Sequence, residues 1–375
     1  MLEGKSRDVL VVGQTPPPFH GQAVVTEMLF SHEWKKVRVE CLRMSYSDTI
    51  DGVGQASLRK VFHLFYLIFA TWKIVLIHRP KVLYYLPASA NKLPVMRDVI
   101  YLSCVKWLFG KKVYHYHAGG LPEYLEGAGL LGKIAKWVYS GADVSIEICQ
   151  TEHSPAKFFH AKMQVLVPNG LDVNVLPSAA TGDGVNVLFV GALNEGKGVY
   201  EALKAVDRLC GEQPDLKFTM SFAGAWASVE FEKKCLSYLD SRTLRNVTFL
   251  GILQGDEKWQ AYANADVFFF PSHYQSENFP LVLIEAMACG LPVISTYWRG
   301  IPQLVEGSDA AVLCEVRNQD HFVTALENYI TDRALRTRHS ENARHYYQKY
   351  YTREKFVGKL EEVFISLVDE NHSKA

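Results

Sequence analysis

The sequence predicts an α/β protein made of two doubly wound domains in tandem. Three observations carry this. Short apolar strands alternate with amphipathic helices twice over, the pattern of βαβ units and parallel sheets. A run of Pro, Gly and small polar residues at 168–184, PNGLDVNVLPSAATGDG, separates the two series. The 375 residues exceed what one ordinary core fills and fit about two domains.

In the first series, residues 8–13 (DVLVVG) read as a strand and, after a Pro-rich loop, 22–30 as a helix. Then come a strand at 37–42, an apolar helix at 61–77, a strand at 82–86 and a helix at 95–109. Strands at 112–117, 144–148 and 163–167 complete the series. The second series starts at 185–191 (VNVLFVG) and continues with strands at 217–224, 246–251, 266–271, 292–296 and 310–314. Helices at 199–209 and 281–289 lie between them, and from about residue 319 the chain reads as helix nearly to its end. The domain limits are 1–170 and 171–350, with 351–375 a C-terminal helix expected to pack back toward the first domain. Two such domains facing one another form a cleft at the carboxyl ends of their strands, where α/β folds bind ligands.

Hydrophobic residues make up 48% of the chain and charged residues 21%, which excludes a disordered or fibrous class. The net charge is zero, so nothing global points to nucleic acid. Residues 1–172 hold 20 Lys and Arg against 14 Asp and Glu, whereas the remainder holds 20 against 26. A basic front half suits an anionic membrane surface or a phosphorylated substrate, and equally suits ordinary scatter. Cys41, Cys104, Cys149, Cys210, Cys235, Cys289 and Cys314 stand singly, several inside apolar runs, which predicts reduced thiols in a reducing compartment. The polar start MLEGKSRD leads straight into a strand and lacks the make-up of a secretory signal, so a cytoplasmic location is expected. The segment 61–77, VFHLFYLIFATWKIVLI, is interrupted by His63 and Lys73 and preceded by Arg59 and Lys60. It is short for a spanning helix, leaving a largely buried helix or one lying on a membrane surface.

The chemistry concentrates in two loops. In FVGALNEGKGVYEAL (189–203) a strand ends at Gly191 and Lys197-Gly198 opens a helix. Helix-start amides favour an anion and Lys197 adds a full charge, although a Lys there is often only a solvated surface group. The loop is neither a Walker motif, since no Ser or Thr follows the Lys, nor a G-x-G-x-x-G fingerprint. In PSHYQSENFPLVLIEAMACGLPVI (271–294) a polar loop carries Glu277, and Asn278-Phe279-Pro280 leads into a helix bearing Glu285. An unpaired carboxylate inside LVLIEAMA is costly. Glu285 therefore needs donors, either ribose hydroxyls or a neighbouring Lys or Arg. The helix start beside Phe279 suits a diphosphate, with Glu277 reaching sugar hydroxyls.

Glu277 and Glu285 form an E-x7-E motif, and the stretch around them resembles the EGFPL…EAMACGLPVI block of the family-4 retaining glycosyltransferases. Three further segments agree in order: Val190, Gly191, Leu193, Lys197 and Gly198; the VPNGLD run at 167–172; and GIPQLV at 300–305. The likeness is dense over about residues 165–315 and looser before. It implies the GT-B fold, two Rossmann-like domains, and transfer of a sugar from a nucleotide sugar with retention. By this resemblance Lys197 binds the donor diphosphate, Glu285 the ribose and Glu277 the transferred sugar. Gly191 and Asn169 lie at the donor site, and the amides of Phe279, Pro280 and Leu281 with Asn278 border it. Phe19-His20-Gly21-Gln22 stands where the family has a Gly-rich loop, and only Gly21 matches in part. The family's histidine near the anomeric carbon corresponds best to His117, with His115 on the same face of the strand.

One position departs from the family: an Arg common after the glycine of the V-G block is Ala192 here, with Arg299 a candidate substitute. No Asp-x-Asp stands where a metal would bridge phosphates, so no metal or other cofactor is expected. The implied partners are a UDP- or GDP-sugar, a glycan or polyprenyl-linked acceptor and an anionic membrane, as in bacterial surface-polysaccharide assembly. The competing class is a nucleotide-sugar-binding homologue that has lost turnover. An epimerase or phosphorylase of the same architecture would need further catalytic groups.

Overall fold

The computed structural model describes residues 8–17, 21–44, 58–176, 178, 184–242 and 244–369. The polar start 1–7, Phe19, His20, part of the 168–184 run and the tail 370–375 lie outside them. The chain divides into two compact units, Met1–Asn169 with Arg353–Ala375, and Gly170–Thr352.

The first unit holds β1 (Val9–Gln14), α1 (Gly21–Phe30), β2 (Val39–Met44), α2 (Leu58–His78), β3 (Val82–Tyr85) and α3 (Lys92–Val105). After α3 come β4 (Lys111–Tyr116), α4 (Leu121–Gly127), α5 (Gly129–Tyr139), β5 (Val144–Glu147), α6 (Pro155–Phe158) and β6 (Met163–Leu166). The strands form one parallel sheet in the order β2-β1-β3-β4-β5-β6. Helices cover both faces of such a sheet, so its inner strands read as unbroken apolar runs. Val9, Leu10, Val11 and Val12 of β1 and Val82, Leu83, Tyr84 and Tyr85 of β3 are accordingly all buried. Gly13 permits the close approach of α1, since a Cβ there would come 2.7 Å from Thr26 Cγ2.

The second unit holds β7 (Val185–Val190), α7 (Val199–Glu212), β8 (Phe218–Ala223), α8 (Val229–Arg242), β9 (Val247–Gly251) and α9 (Gly255–Ala263). β10 (Val267–Phe269), α10 (Leu281–Ala288), β11 (Val293–Thr296), α11 (Ile301–Val305), β12 (Ala311–Cys314), α12 (Gln319–Thr331) and α13 (Arg333–Tyr350) follow. Its parallel sheet runs β12-β11-β10-β7-β8-β9. Counted from β7 as the first strand, this is the 3-2-1-4-5-6 order, with the direction of winding reversing between β7 and β10. The last helix, α14 (Arg353–Asp369), belongs to the first unit and packs on β3. There its Phe364 ring meets Tyr84 at 5.4 Å.

Two features differ from the sequence reading. α4 and α5 occupy a stretch, AGGLPEYLEGAGLLGKIAKW, whose glycines and proline mask the helical period. The apolar helix α2 is not largely buried. Only Leu64, Leu67, Ile68 and Thr71 are buried, because the unit's core covers a single stripe of it. Leu58, Phe62, Phe69 and Leu76 are 78%, 73%, 69% and 76% exposed. None of the seven cysteines is in a disulfide, and Cys149, Cys235, Cys289 and Cys314 are buried.

Candidate functional site

The loops that leave β7 and β10 flank the point where the winding of the second sheet reverses. Connections depart there to opposite faces, which opens a crevice at the carboxyl ends of the two strands. The first loop turns at Gly191, whose N–H donates to Ala223 O at 3.0 Å. Asn194 Oδ1 accepts the Lys197 N–H at 2.8 Å and fixes the turn before α7. Gly198 has φ +77°, and a Cβ on it would lie 2.7 Å from the Pro271 carbonyl carbon. Glycine is therefore what lets the two loops close on each other, and His273 N–H donates to Gly196 O at 2.7 Å across them.

Lys197 and Glu277 meet in this crevice. Lys197 Nζ donates to Glu277 Oε2 at 2.5 Å, and Ser272 Oγ donates to the same oxygen at 3.0 Å. The ammonium also lies 5.3 Å from the Phe270 ring centroid and 5.0 Å from that of Tyr274. Both side chains are mostly enclosed, 17% exposed for Lys197 and 8% for Glu277. A cation and an anion thus share one shielded spot. The pair offers an ammonium of the kind that binds an anion and a carboxylate of the kind that accepts from a hydroxyl.

The polar loop ends at Asn278, Phe279 and Pro280, all buried, and α10 starts at Leu281 with Pro280 at its cap. The first-turn amides of a helix lack i−4 partners and carry the positive end of its dipole; in α10 the Leu283 N–H donates to Pro280 O at 3.1 Å. Glu285 follows one turn later and is buried. Its Oε1 accepts from Lys258 Nζ at 2.6 Å and its Oε2 from Tyr262 OH at 2.8 Å. Burial, with the carboxylate beside it, pushes the Tyr262 hydroxyl well above its ordinary pKa, so it stays a donor. The structure thus supplies Glu285 with the cationic protein partner that the sequence left as one of two options. A carboxylate offers about four lone-pair sites, so two protein donors leave acceptor capacity for a ligand hydroxyl.

Arg299 sits next to Trp298, its guanidinium 5.7 Å from the indole centroid, and Trp298 Nε1 donates to Tyr274 O at 2.7 Å. That bond ties the Arg299 segment to the residue whose ring faces Lys197.

The remaining sequence-predicted residues belong to the first unit. Gly21 opens α1, and Gln22 Nε2 reaches Leu86 O at 3.4 Å past the end of β3. The structure separates the two histidines. His115, within β4, is fully buried, shares a 2.5 Å hydrogen bond between Nδ1 and Tyr84 OH, and lies against Phe356 of α14. Burial, then the neighbouring His117, drives its pKa well below the ordinary value, so it is a neutral core residue. His117 follows directly after β4, at the strand's carboxyl end, with its ring 4.1 Å from that of His115. Asn169, which ends the first segment of its unit, is buried, and its Oδ1 has no hydrogen-bond partner among the described residues.

Lys197, Gly191, Glu277, Asn278, Phe279, Pro280, Leu281 and Glu285 thus share one unit; Gly21, His117 and Asn169 share the other. Sequence reasoning missed Asn194, Ser272, Lys258 and Tyr262. An Asn three residues before the helix-opening Lys is a readable turn signal for the first. Nothing local marks the other three.

Comparison with known proteins gives the same organisation. Residues 178–346 match the family described as "Glycosyl transferases group 1". Glycogen synthase of Mycobacterium tuberculosis is 31% identical over 186 residues, 48% of this chain and 42% of that protein. The chain thus matches less than half the length of this relative. Among solved structures, sucrose-phosphate synthase from Thermosynechococcus elongatus superposes with a TM-score of 0.71 at 18% identity, covering 97% of this chain and 100% of that one. Anabaena Alr3699/HepE in complex with UDP and glucose superposes with a TM-score of 0.62 at 17% identity, covering 98% and 99%. With the two parallel six-stranded sheets, these likenesses make the fold GT-B, two doubly wound Rossmann-like domains.

Proposed function

We propose that this protein is a retaining, metal-independent glycosyltransferase. It moves a hexose-type sugar from a UDP- or GDP-sugar to a glycan or polyprenyl-linked acceptor, in bacterial surface-polysaccharide biosynthesis. The observation that supports this most is the enclosed Lys197–Glu277 contact at the β7–β10 reversal point, beside the amino end of α10. The two groups are the kinds a diphosphate and a sugar hydroxyl require, and they lie within the segment that matches a glycosyltransferase family.

In this reading the donor diphosphate takes the Lys197 ammonium and the first-turn amides of α10. Glu277, released from Lys197, accepts from hydroxyls of the sugar, while Ser272 holds its carboxylate in place. Glu285, fixed by Lys258 and Tyr262, accepts from the ribose. The acceptor oxygen attacks the anomeric carbon on the face from which the diphosphate departs. The bond from that carbon to the phosphate oxygen breaks with its electron pair on the diphosphate, which takes the acceptor's proton. Lys197 and the helix amides meet the charge that grows on the leaving oxygen, the kind of fixed donor worth most in the transition state.

A thermal-shift and calorimetric panel of UDP- and GDP-sugars, with and without chelator, tests the reading. One donor should stabilise the protein irrespective of chelator, and Glu285→Gln should weaken that binding. Lys197→Ala should lower kcat/KM by about 10²–10³. Near-normal turnover in that variant would refute the role of Lys197. Donor binding without transfer to any acceptor would replace the enzyme by a non-turnover homologue.

A further inference from the structure

The exposed side of α2 is unlike an ordinary solvated helix face. Leu58, Phe62, Phe65, Phe69, Trp72 and Leu76 follow each other at spacings of three and four, one continuous stripe, and all are exposed. The opposite stripe, Leu64, Leu67, Ile68 and Thr71, is built into the core, with Thr71 Oγ1 2.7 Å from Tyr101 OH of α3. A helix apolar on its free side as well as its packed side is matched to a second apolar medium.

The stripe does not stand alone. α3 packs against α2, and α5 against α3. On α3 and the turn after it Met96, Ile100 and Trp107 are exposed, and on α5 Leu130, Ile134 and Trp137, again at helical spacing. Side-chain contacts join the three helices at this surface. The Trp72 and Trp107 rings meet edge to face at 5.6 Å, and Trp72 Nε1 donates to Cys104 O at 3.2 Å. Lys106, beside Trp107, lies 4.6 Å from the Trp137 ring centroid and donates from Nζ to Val138 O at 2.8 Å.

Charge identifies what this surface meets. The residues of α2, α3, α5 and the turn at 106–108 include Arg59, Lys60, Lys73, Lys92, Arg97, Lys106, Lys133 and Lys136. Their sole acid is Asp98, which is fully buried, 2.6 Å from Arg97 and hydrogen-bonded to the Tyr85 and Tyr139 hydroxyls. Tryptophan at a polar–apolar boundary, long apolar side chains and a clear excess of Lys and Arg over acids on these helices together match the headgroup region of an anionic bilayer. α2 is also long and apolar enough to cross a membrane. Its packed stripe and the Thr71–Tyr101 bond instead tie it to the core, the arrangement of a helix that lies along an interface.

We propose that α2, α3 and α5 form a membrane-docking platform for anionic phospholipid, with Phe62, Phe65, Phe69, Trp72, Trp107 and Trp137 entering the headgroup boundary. This holds independently of the reaction proposed above. The full chain should float with vesicles of phosphatidylglycerol and phosphatidylcholine and bind pure phosphatidylcholine vesicles far less. Anionic binding should weaken as salt is raised. Trp107→Ser with Trp137→Ser, and separately Phe62→Ser with Phe65→Ser and Phe69→Ser, should each cut partitioning about tenfold or more with an unchanged far-ultraviolet spectrum. Extraction by alkaline carbonate should release the wild type. Three outcomes would overturn the proposal: equal binding to neutral vesicles; retention after carbonate, which marks a spanning helix; and a detergent-free dimer that the Phe variants dissociate while vesicle binding is absent, which assigns the surface to a second copy.

Discussion

Removing the Lys197 ammonium separates a structural ion pair from a catalytic one. Lys197→Met leaves the Glu277 carboxylate, 8% exposed, with Ser272 as its remaining polar partner among the hydrogen bonds described above. Deleting one member of a buried pair costs about 3–5 kcal/mol; at 17% exposure water reaches the ammonium, so roughly 2–4 kcal/mol is expected. Glu277→Gln is milder. The ammonium keeps the Phe270 and Tyr274 rings, each worth about 0.5–1 kcal/mol, and the amide oxygen still accepts, so about 1–2 kcal/mol is expected. The double variant Lys197→Met with Glu277→Gln leaves no uncompensated charge, and its loss should fall within about 1 kcal/mol of wild type. Urea unfolding of all four proteins closes the cycle, and a coupling of about 2 kcal/mol or more is predicted. Turnover of the nucleotide sugar is then measured on the same proteins. The diagnostic result is a double variant as stable as wild type yet inactive, which assigns the pair to function. A coupling below about 0.5 kcal/mol would refute the claim that the two groups share a shielded spot. Normal turnover in the double variant would refute their roles in the site.

Gly198→Ala places a side chain at φ +77° and against the Pro271 carbonyl, so it should cost roughly 2–3 kcal/mol and raise the donor KM by displacing Lys197. Differential scanning calorimetry with steady-state kinetics checks it, and an unchanged Tm with an unchanged KM would show that the two loops do not depend on this close approach. His115 supplies a pH effect. Its folded pKa is depressed below the unfolded value of about 6.5, so above that pH both states are neutral and stability is full. As pH falls below about 6.5 the unfolded state gains a proton that the folded state refuses, and stability drops by up to about 1.4 kcal/mol per pH unit until the folded pKa is reached. Denaturation midpoints between pH 7.5 and 5 should fall on acidification, and less so in His115→Gln, which keeps a partner for Tyr84. An equal slope in the variant would assign the effect elsewhere.

Much of this was legible because the signals are local. The strands of both sheets are short unbroken apolar runs, and parallel sheets covered on both faces require such runs, so β1, β3, β7 and β10 were placed within a residue or two. Lys197 and Glu277 were legible for a related reason. Each lies where a strand has just ended and a helix is about to start, and glycine, asparagine and proline mark those junctions. Their contact was not legible. It joins residues 80 apart, and it forms only because β7 and β10 are neighbours where the winding of the sheet reverses, a property of strand order rather than of either loop. The partners of Glu285 were hidden for the same reason, since Lys258 and Tyr262 arrive from α9, 27 and 23 residues away.

The apolar helix shows the same limit from the other side. Its composition established that two faces are apolar but carried no information on how many of them the protein itself covers. The fold covers one, the stripe through Leu64, Leu67 and Thr71, and leaves the stripe through Phe62, Phe65 and Phe69 free. Evenly apolar composition therefore has two physical origins, a core on both sides or a core on one side and a second medium on the other. Only the neighbours decide between them: here α3 and α5 extend the free side with more exposed tryptophan and lysine instead of closing it. A wholly buried α2 would have needed a further layer over Phe62 and Phe69, and the described residues of this unit place none there.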